Sequence, residues 1–203
     1  MIVGKWNKSV ILTYAGMISA VLGMILSFVQ DNINYPIACL MVSGVCDLFD
    51  GTVARMCKRT EEEKNFGIEL DSLVDVLSFI ALPVAIALRA GLTEYWFIPL
   101  FILFAVSGIA RLAYFNVVDA DSTGPVKYYT GLPVTYTALI IPVVYLLSLV
   151  TEGTVFKVLF AATYLIISVL GILKVKVVKP KGIAYVFFGL LAIGLLILYL
   201  AVL

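Results

Sequence analysis

The sequence predicts an all-α protein that crosses a membrane several times, and two observations lead to this fold class. Hydrophobic residues make up 63% of the 203 residues and charged residues only 13%, with a mean hydropathy of +1.10. A typical globular chain is about 45–50% apolar and about 25% charged, so the excess apolar surface must face lipid. The apolar residues also fall into runs near 20 residues, the length at which a helix crosses a bilayer. A globular enzyme of the cytosol, a disordered chain and a disulfide scaffold are therefore excluded.

Seven apolar segments are expected to span the membrane, and together they make residues 1–203 a single integral membrane domain. A core of six covers about 9–173, and an additional span covers about 183–203. The charged run Lys58–Asn65 is interpreted as a loop between the second and third spans. The seven segments are about 9–29, 36–57, 67–90, 95–118, 131–150, 154–173 and 183–203.

Basic residues predict the orientation, because lysine and arginine are enriched in cytoplasmic segments. If the N-terminus is cytoplasmic, ten of the 14 basic residues lie on that side and only Arg89 and Lys157 on the other, with Arg55 and Arg111 inside spans. We therefore expect a multi-pass protein of the cell membrane with its N-terminus in the cytoplasm. The net charge of +1 indicates no nucleic-acid partner, and the absence of histidine excludes imidazole ligands and bases.

Four aspartates stand where charges are costly, at the cytoplasmic ends of two consecutive spans. Asp47 and Asp50 are three residues apart near the end of the second span, and Asp71 and Asp75 are four apart near the start of the third. Each pair therefore shares one helix face. Because the two spans are antiparallel and joined by a short loop, all four carboxylates are expected at a similar depth.

This carboxylate cluster favours divalent cations, since four like charges cost roughly 2.5–3.5 kcal/mol each to insert and Arg55 offsets only one. A site of oxygen ligands without histidine or a cysteine motif suits Mg²⁺, Mn²⁺ or Ca²⁺. Two such ions on carboxylates are typical of displacement at phosphorus, and a carboxylate not committed to metal can accept a proton. A structural ion network and a cation-coupled transporter remain as alternatives.

Small residues beside the aspartates complete a recognisable pattern. Gly51, Ala54 and Gly67 open the helix surface where a ligand could approach the backbone. The whole pattern resembles the signature D-x-x-D-G-x-x-A-R-x(n)-G-x-x-x-D-x-x-x-D of the CDP-alcohol phosphotransferase family. One departure is the gap before the second glycine, which holds eleven residues here and is commonly shorter. All eight signature positions match, at Asp47, Asp50, Gly51, Ala54, Arg55, Gly67, Asp71 and Asp75.

The resemblance implies an enzyme that displaces CMP from a CDP-linked lipid, with a six-helix fold that is usually a homodimer. It implies that Asp47, Asp50 and Asp71 hold two divalent cations, Mg²⁺ or Mn²⁺ with Ca²⁺ as a non-productive occupant. Asp75 would share this metal site and act as the general base. The residues implied in nucleotide binding are Thr13, Gly51, Ala54, Arg55 and Gly67.

Three further segments are similar to the phosphatidylserine synthase branch of this family, at 66–79, 111–116 and 129–133. This implies CDP-diradylglycerol and L-serine as substrates, with the lipid bilayer around the protein. Arg111 is a candidate for binding a lipid phosphate or the serine carboxylate, because a guanidinium binds both well. Asn116 and Lys127 are further candidates. Inositol phosphate and glycerol phosphate remain as alternative acceptors.

Overall fold

The computed structural model describes residues 4–119, 128–151, 153–178 and 183–202, and most of these are helical. Short 3₁₀ and π turns join or extend several of the helices. The helices are α1 Ile11–Val29, α2 Asn34–Met56, α3 Glu61–Val76, α4 Leu82–Arg89, α5 Ile98–Tyr114, α6 Thr137–Tyr145, α7 Gly153–Ile172 and α8 Ile183–Ile197, and the strands are β1 Tyr128–Thr130 and β2 Lys176–Val178.

Within these described ranges the helices form seven rods, because the π turn Leu77–Ala81 joins α3 to α4. Five of the rods are long and apolar enough to cross a membrane. Two further apolar stretches of helix, Val134–Leu149 and Phe187–Ala201, are shorter. The predicted class, an all-α multi-pass membrane protein, is confirmed.

The charged segment after α2 differs from the prediction, because α3 begins at Glu61 and only Cys57–Thr60 connects the two helices. The Thr60 hydroxyl accepts a hydrogen bond from the Glu63 N–H, and the Glu63 carboxylate accepts one from the Thr60 N–H at 2.8 Å. This capping box starts the helix, and three glutamates in its first turn suit the helix dipole. The interpretation of Glu61–Asn65 as loop is therefore wrong.

A two-stranded ribbon, which the all-α prediction omitted, links the segment before α6 to the segment after α7. β1 pairs antiparallel with β2, with Tyr129 opposite Val177. Beside the ribbon the Gly131 N–H donates to the Val175 carbonyl at 2.8 Å. Gly131 has a φ of +75°, and a Cβ there would lie 2.6 Å from the Gly171 carbonyl oxygen, so this position requires glycine.

Close packing of α1 on α2 depends on small residues, as is common between membrane helices. A Cβ at Gly23 would lie 2.8 Å from the Cβ of Cys39. The hydroxyl of Ser43 on α2 lies 3.0 Å from the carbonyl oxygen of Gly16 on α1. This short separation brings Thr13 of α1 to the end of α2 that carries the aspartates.

The π turn between α3 and α4 is fixed by side chains from two other helices. Pro83 has no N–H to donate to the Phe79 carbonyl four residues earlier. The Thr137 hydroxyl on α6 lies 3.3 Å from that oxygen, and the Tyr164 hydroxyl on α7 donates to the Pro83 carbonyl at 2.7 Å. The helix turn that follows Asp75 is therefore anchored to α6 and α7.

We expect Gly131→Ala to destabilise the protein. The left-handed backbone costs an alanine roughly 1–2 kcal/mol, and its methyl group would press on the Gly171 carbonyl. The melting temperature in detergent should fall by several degrees. The matched control is Gly189→Ala, because a Cβ at that helical position meets nothing within 4 Å. Equal melting temperatures for the two variants would contradict this account of the ribbon.

Candidate active site

The four signature aspartates meet where the end of α2 faces the start of α3. All four line one narrow cavity, together with Thr13, Ser43 and Ser78. Oxygens of Asp47, Asp71 and Asp75 lie within 4.8 Å of one another. Across the helix contact, Asp47 is within hydrogen-bonding range of Asp75. The structure therefore brings together the carboxylates that the spacing placed on two facing helix surfaces.

Asp50 lies beside this group of three and differs from it in its surroundings. Its carboxylate accepts a hydrogen bond from the Thr13 hydroxyl at 3.1 Å and is within hydrogen-bonding range of Asp71. Asp50 and Asp75 are buried, whereas Asp47 and Asp71 are half-buried. Thr13, predicted near the nucleotide, thus also orients one carboxylate.

The charge of the cluster fits a divalent cation. Arg111 on α5 is 8% exposed, lies close enough to act electrostatically on Asp47, and stacks over the Phe115 ring at 5.2 Å. One guanidinium cannot balance four carboxylates at this depth. Ligands that are all oxygen suit hard divalent ions, so the side chains that are present match such an ion in both charge and chemistry.

A polar floor lies beneath the carboxylates, deeper in the membrane. The Ser43 hydroxyl on α2 donates to the Ser78 hydroxyl at 2.8 Å. Ser78 belongs to the π turn, three residues after Asp75, and both serines are buried. This contact ties α2 to the chain just beyond Asp75. It therefore holds the two facing helices in register below the cluster.

An adjacent opening between α1, α2 and α3 collects most residues that were expected to bind the nucleotide. It is lined by Thr13, Gly51, Ala54 and Gly67, with Asp50 and Asp71 at its border. Arg55 does not line it, and the Arg55 guanidinium instead donates to the Thr52 hydroxyl at 3.0 Å. The structure therefore groups the small residues and leaves Arg55 at the rim.

Arg59 lines the same opening, and sequence reasoning counted it only as a loop charge. A Cβ at Gly67 would lie 4.0 Å from a guanidinium nitrogen of Arg59. The missed signal is the capping box Thr60-x-x-Glu63, which starts α3 early and shortens the loop. With so short a loop, Arg59 lies close to the first turns of α3.

A second opening contains Arg111 together with Lys174, which the sequence did not single out. Both line a cavity with Tyr114 and Thr130, so the ribbon segments bring two cations together. Asn116 is placed differently, because its amide donates to the Ser72 hydroxyl on α3 at 2.7 Å. The remaining candidate, Lys127, lies outside the described residues.

Comparison with known proteins gives relatives in several organisms. A CDP-diacylglycerol–serine O-phosphatidyltransferase of Saccharomyces cerevisiae is 40% identical over 56% of this chain and 41% of the relative. An archaetidylserine synthase of Methanothermobacter thermautotrophicus is 32% identical over 74% of this chain and 62% of the relative. A phosphatidylcholine synthase of Pseudomonas aeruginosa is 31% identical over 91% of this chain and 76% of the relative. The alignments cover less than two thirds of the yeast and archaeal relatives.

The same comparison identifies the family directly. Residues 6–173 match the CDP-alcohol phosphatidyltransferase family, a range that contains the carboxylate cluster and, apart from Lys174, the residues that line both openings beside it. The resemblance carried by the eight signature positions is therefore confirmed. The chain belongs to the CDP-alcohol phosphatidyltransferase family.

Proposed function

We propose that this protein transfers a diradylglycerol phosphate group from CDP-diradylglycerol to the hydroxyl of L-serine and releases CMP. The observation that carries the proposal is the convergence of Asp47, Asp71 and Asp75 between α2 and α3, in a chain that belongs to this family. The names of the yeast and archaeal relatives support serine as the acceptor.

The four aspartates would hold two divalent cations, Mg²⁺ or Mn²⁺, with Ca²⁺ as a non-productive occupant. When bound, such ions supply charge stabilisation to the diphosphate and to the departing phosphate. Gly51, Ala54 and Gly67 leave room for the cytidine nucleotide in the adjacent opening. Arg59 supplies positive charge there, and Arg55 supplies it at the rim.

Asp75 is the proposed general base of the reaction. It is 8% exposed, and the π turn that follows it is anchored by Thr137 and Tyr164. Asp75 accepts the proton of the serine hydroxyl as that oxygen forms a bond to the lipid-side phosphorus. The bond from this phosphorus to the bridging oxygen breaks, and CMP leaves with the electron pair.

The acceptor would bind beside Arg111 and Lys174, whose positive charges suit the serine carboxylate. Choline is a second candidate, because the Pseudomonas relative named phosphatidylcholine synthase aligns with most of this chain. A quaternary ammonium would be repelled by these two cations, which favours serine. An acceptor that carries a phosphate would also bind well beside Arg111 and Lys174. The preference for serine over such an acceptor therefore rests on the relatives' names. Asn116 and Lys127 stay predictions as acceptor-binding residues.

We propose that the N-terminus and the carboxylate cluster face the cytoplasm and that the protein is a homodimer in the cell membrane. Lys5 donates to Glu62 at 2.6 Å, and this carboxylate raises the pKa of the Lys5 amine. The N-terminal segment therefore lies on the same side as the start of α3. The dimer follows from the family resemblance alone.

One assay tests the proposal: purified protein with CDP-diradylglycerol and labelled serine, with CMP and the lipid product measured together. Both products should appear in equal amounts with Mg²⁺ or Mn²⁺ and stop in excess chelator. Labelled choline and glycerol phosphate in place of serine test the other acceptors. Full activity in chelator would end the metal assignment, and cation flux across vesicles without CMP would indicate a transporter.

In this assay, Asp75→Asn should lower turnover at least about 100-fold, the size of a typical general-base contribution, while CDP-lipid still binds. Asp31→Asn is the matched control, because Asp31 is exposed and pairs with Arg89, at the end of the helices away from the cluster. Turnover retained in Asp75→Asn would remove Asp75 from this role.

Thr13→Val should weaken metal binding, because Asp50 loses a hydrogen bond to a charged group, worth about 1.5–3 kcal/mol. The Mg²⁺ concentration for half-maximal activity should rise roughly tenfold or more. Thr13→Ser keeps the hydroxyl and should stay near the wild-type value. Thr163→Val, at a half-buried position on α7, controls for loss of a threonine. A Thr13→Val curve that overlays the wild type would refute this role.

Lys174→Gln should raise the KM for serine about tenfold, as expected for a lost partner of a carboxylate, and leave the KM for CDP-lipid unchanged. Lys64→Gln is the control, because Lys64 pairs with Glu61 on the exposed start of α3. An unchanged KM for serine would place the acceptor elsewhere.

A further inference from the structure

A cavity between α2, α6 and α8 reaches the carboxylate cluster at Asp47. Its volume is about 210 Å³, and it is partly open to the surroundings. Apart from Asp47 its walls are mainly apolar. They include Gly44, Leu48, Leu139, Phe188 and Ala192. We refer to this cavity as the α8 groove.

The α8 groove runs from the aspartates towards the middle of the membrane. Its lining residues on α2 extend from Leu48 back to Met41, which is seven residues or about 10 Å of helix. Its residues on α6 are Ala138 and Leu139, in the first turn, and its residues on α8 are Phe188 and Ala192, in the second and third turns. One end of the groove therefore lies at the proposed phosphate site, and the other lies at the depth of lipid tails.

α8 is firmly packed although it lies beyond residue 173, where the family match ends. The π turn Leu198–Val202 extends α8, and in it the Tyr199 hydroxyl donates to the Pro142 carbonyl at 2.6 Å. On α8 itself, the ring centroid of Phe188 lies 6.2 Å from that of Tyr136. Leu195 and Tyr199 are buried. The helix is thus a fixed wall of the groove.

We propose that the α8 groove holds one hydrocarbon chain of the CDP-linked lipid and that α8 determines which chain fits; this rests on the proposed function. The head of such a lipid belongs at the carboxylate cluster, and the groove continues from there as an apolar channel. A chain that leaves the bilayer for the groove gains no hydrophobic burial, since both surroundings are apolar. Selection therefore depends on packing contacts and shape.

The depth of Ala192 along α8 allows long acyl chains of the lipid to be distinguished from short ones. Ala192 lies nine residues beyond Ile183, where α8 begins, which is about 13 Å of helix. With the lipid head at the carboxylate cluster, we expect a long acyl chain to reach this level and a hexanoyl chain to end above it. Added bulk at Ala192 should therefore obstruct only the long-chain substrate.

The test compares Ala192→Phe with wild type on CDP-dioleoylglycerol and CDP-dihexanoylglycerol in the same mixed micelles, with serine and Mg²⁺. The KM for the dioleoyl lipid should rise about tenfold, equivalent to 1.4 kcal/mol, and the KM for the dihexanoyl lipid should not change. Ile193→Phe is the matched control, because Ile193 adjoins Ala192 on the same helix and is 51% exposed. Leu139→Phe narrows the groove from α6 and should reproduce the effect.

Two results would overturn the proposal: an Ala192→Phe effect equal on both lipids, or no effect on either. An Ala192→Phe effect matched by Ile193→Phe would point instead to a contact with a second copy of this chain. If the variants do not fold, the test is the kcat/KM of the wild type for CDP-lipids of increasing chain length. A groove that holds the chain predicts that kcat/KM rises with chain length and then levels off. A groove that holds no chain predicts that kcat/KM does not change with chain length. CMP release from the dihexanoyl lipid by the wild type tests the proposed function independently of the groove. The proposed function fails only if neither lipid reacts.

Discussion

Repulsion among four carboxylates at the contact of α2 and α3 is the constraint on which the site depends. Asp47, Asp50, Asp71 and Asp75 lie at one depth, where a single charge already costs several kcal/mol, and Arg111 offsets only part of it. The helices meet at this point because contacts elsewhere hold them there. The cluster is therefore stabilised by the rest of the fold and is prepared for cations of higher charge.

The supporting contacts come from every side of the cluster. Gly16 and Gly23 allow α1 to approach α2 closely enough for Thr13 to reach Asp50. Below the cluster, Ser43 and Ser78 join α2 to the π turn. Hydrogen-bonded π turns are frequent at functional sites, and this one follows the proposed base directly. Each contact fixes the position of a carboxylate through its helix.

The three openings around the cluster differ in chemistry, and this difference suggests how the substrates would be sorted. The opening with Gly51 and Gly67 is lined by small residues and by Arg59, with Asp50 and Asp71 at its border. The one with Arg111 and Lys174 offers two cations, and the α8 groove is mainly apolar. A nucleotide, a carboxylate and a hydrocarbon chain would each find a matching surface. The first and third openings share aspartates with the carboxylate cluster, and Arg111 of the second acts electrostatically on Asp47.

Local patterns in the sequence were sufficient for the class of fold and for the carboxylate cluster. Runs of about 20 apolar residues determine membrane helices because each helix satisfies its own backbone. The i, i+3 and i, i+4 spacings determine which aspartates share a face, since helix periodicity is local. The start of α3 at Glu61 also has a local signature, in Thr60 and Glu63, but the high charge of the segment favours a loop and outweighs that signature in a prediction.

Contacts between distant segments were decided only by the tertiary structure. The pairing of β1 with β2, the meeting of Arg111 with Lys174, and the packing of α8 along α2 and α6 join residues far apart in the chain. The hydrophobic periodicity of one segment does not indicate which other segment packs beside it. These arrangements depend on the packing of small residues and on a few hydrogen bonds between helices, and such bonds have no local signature in the amino-acid order.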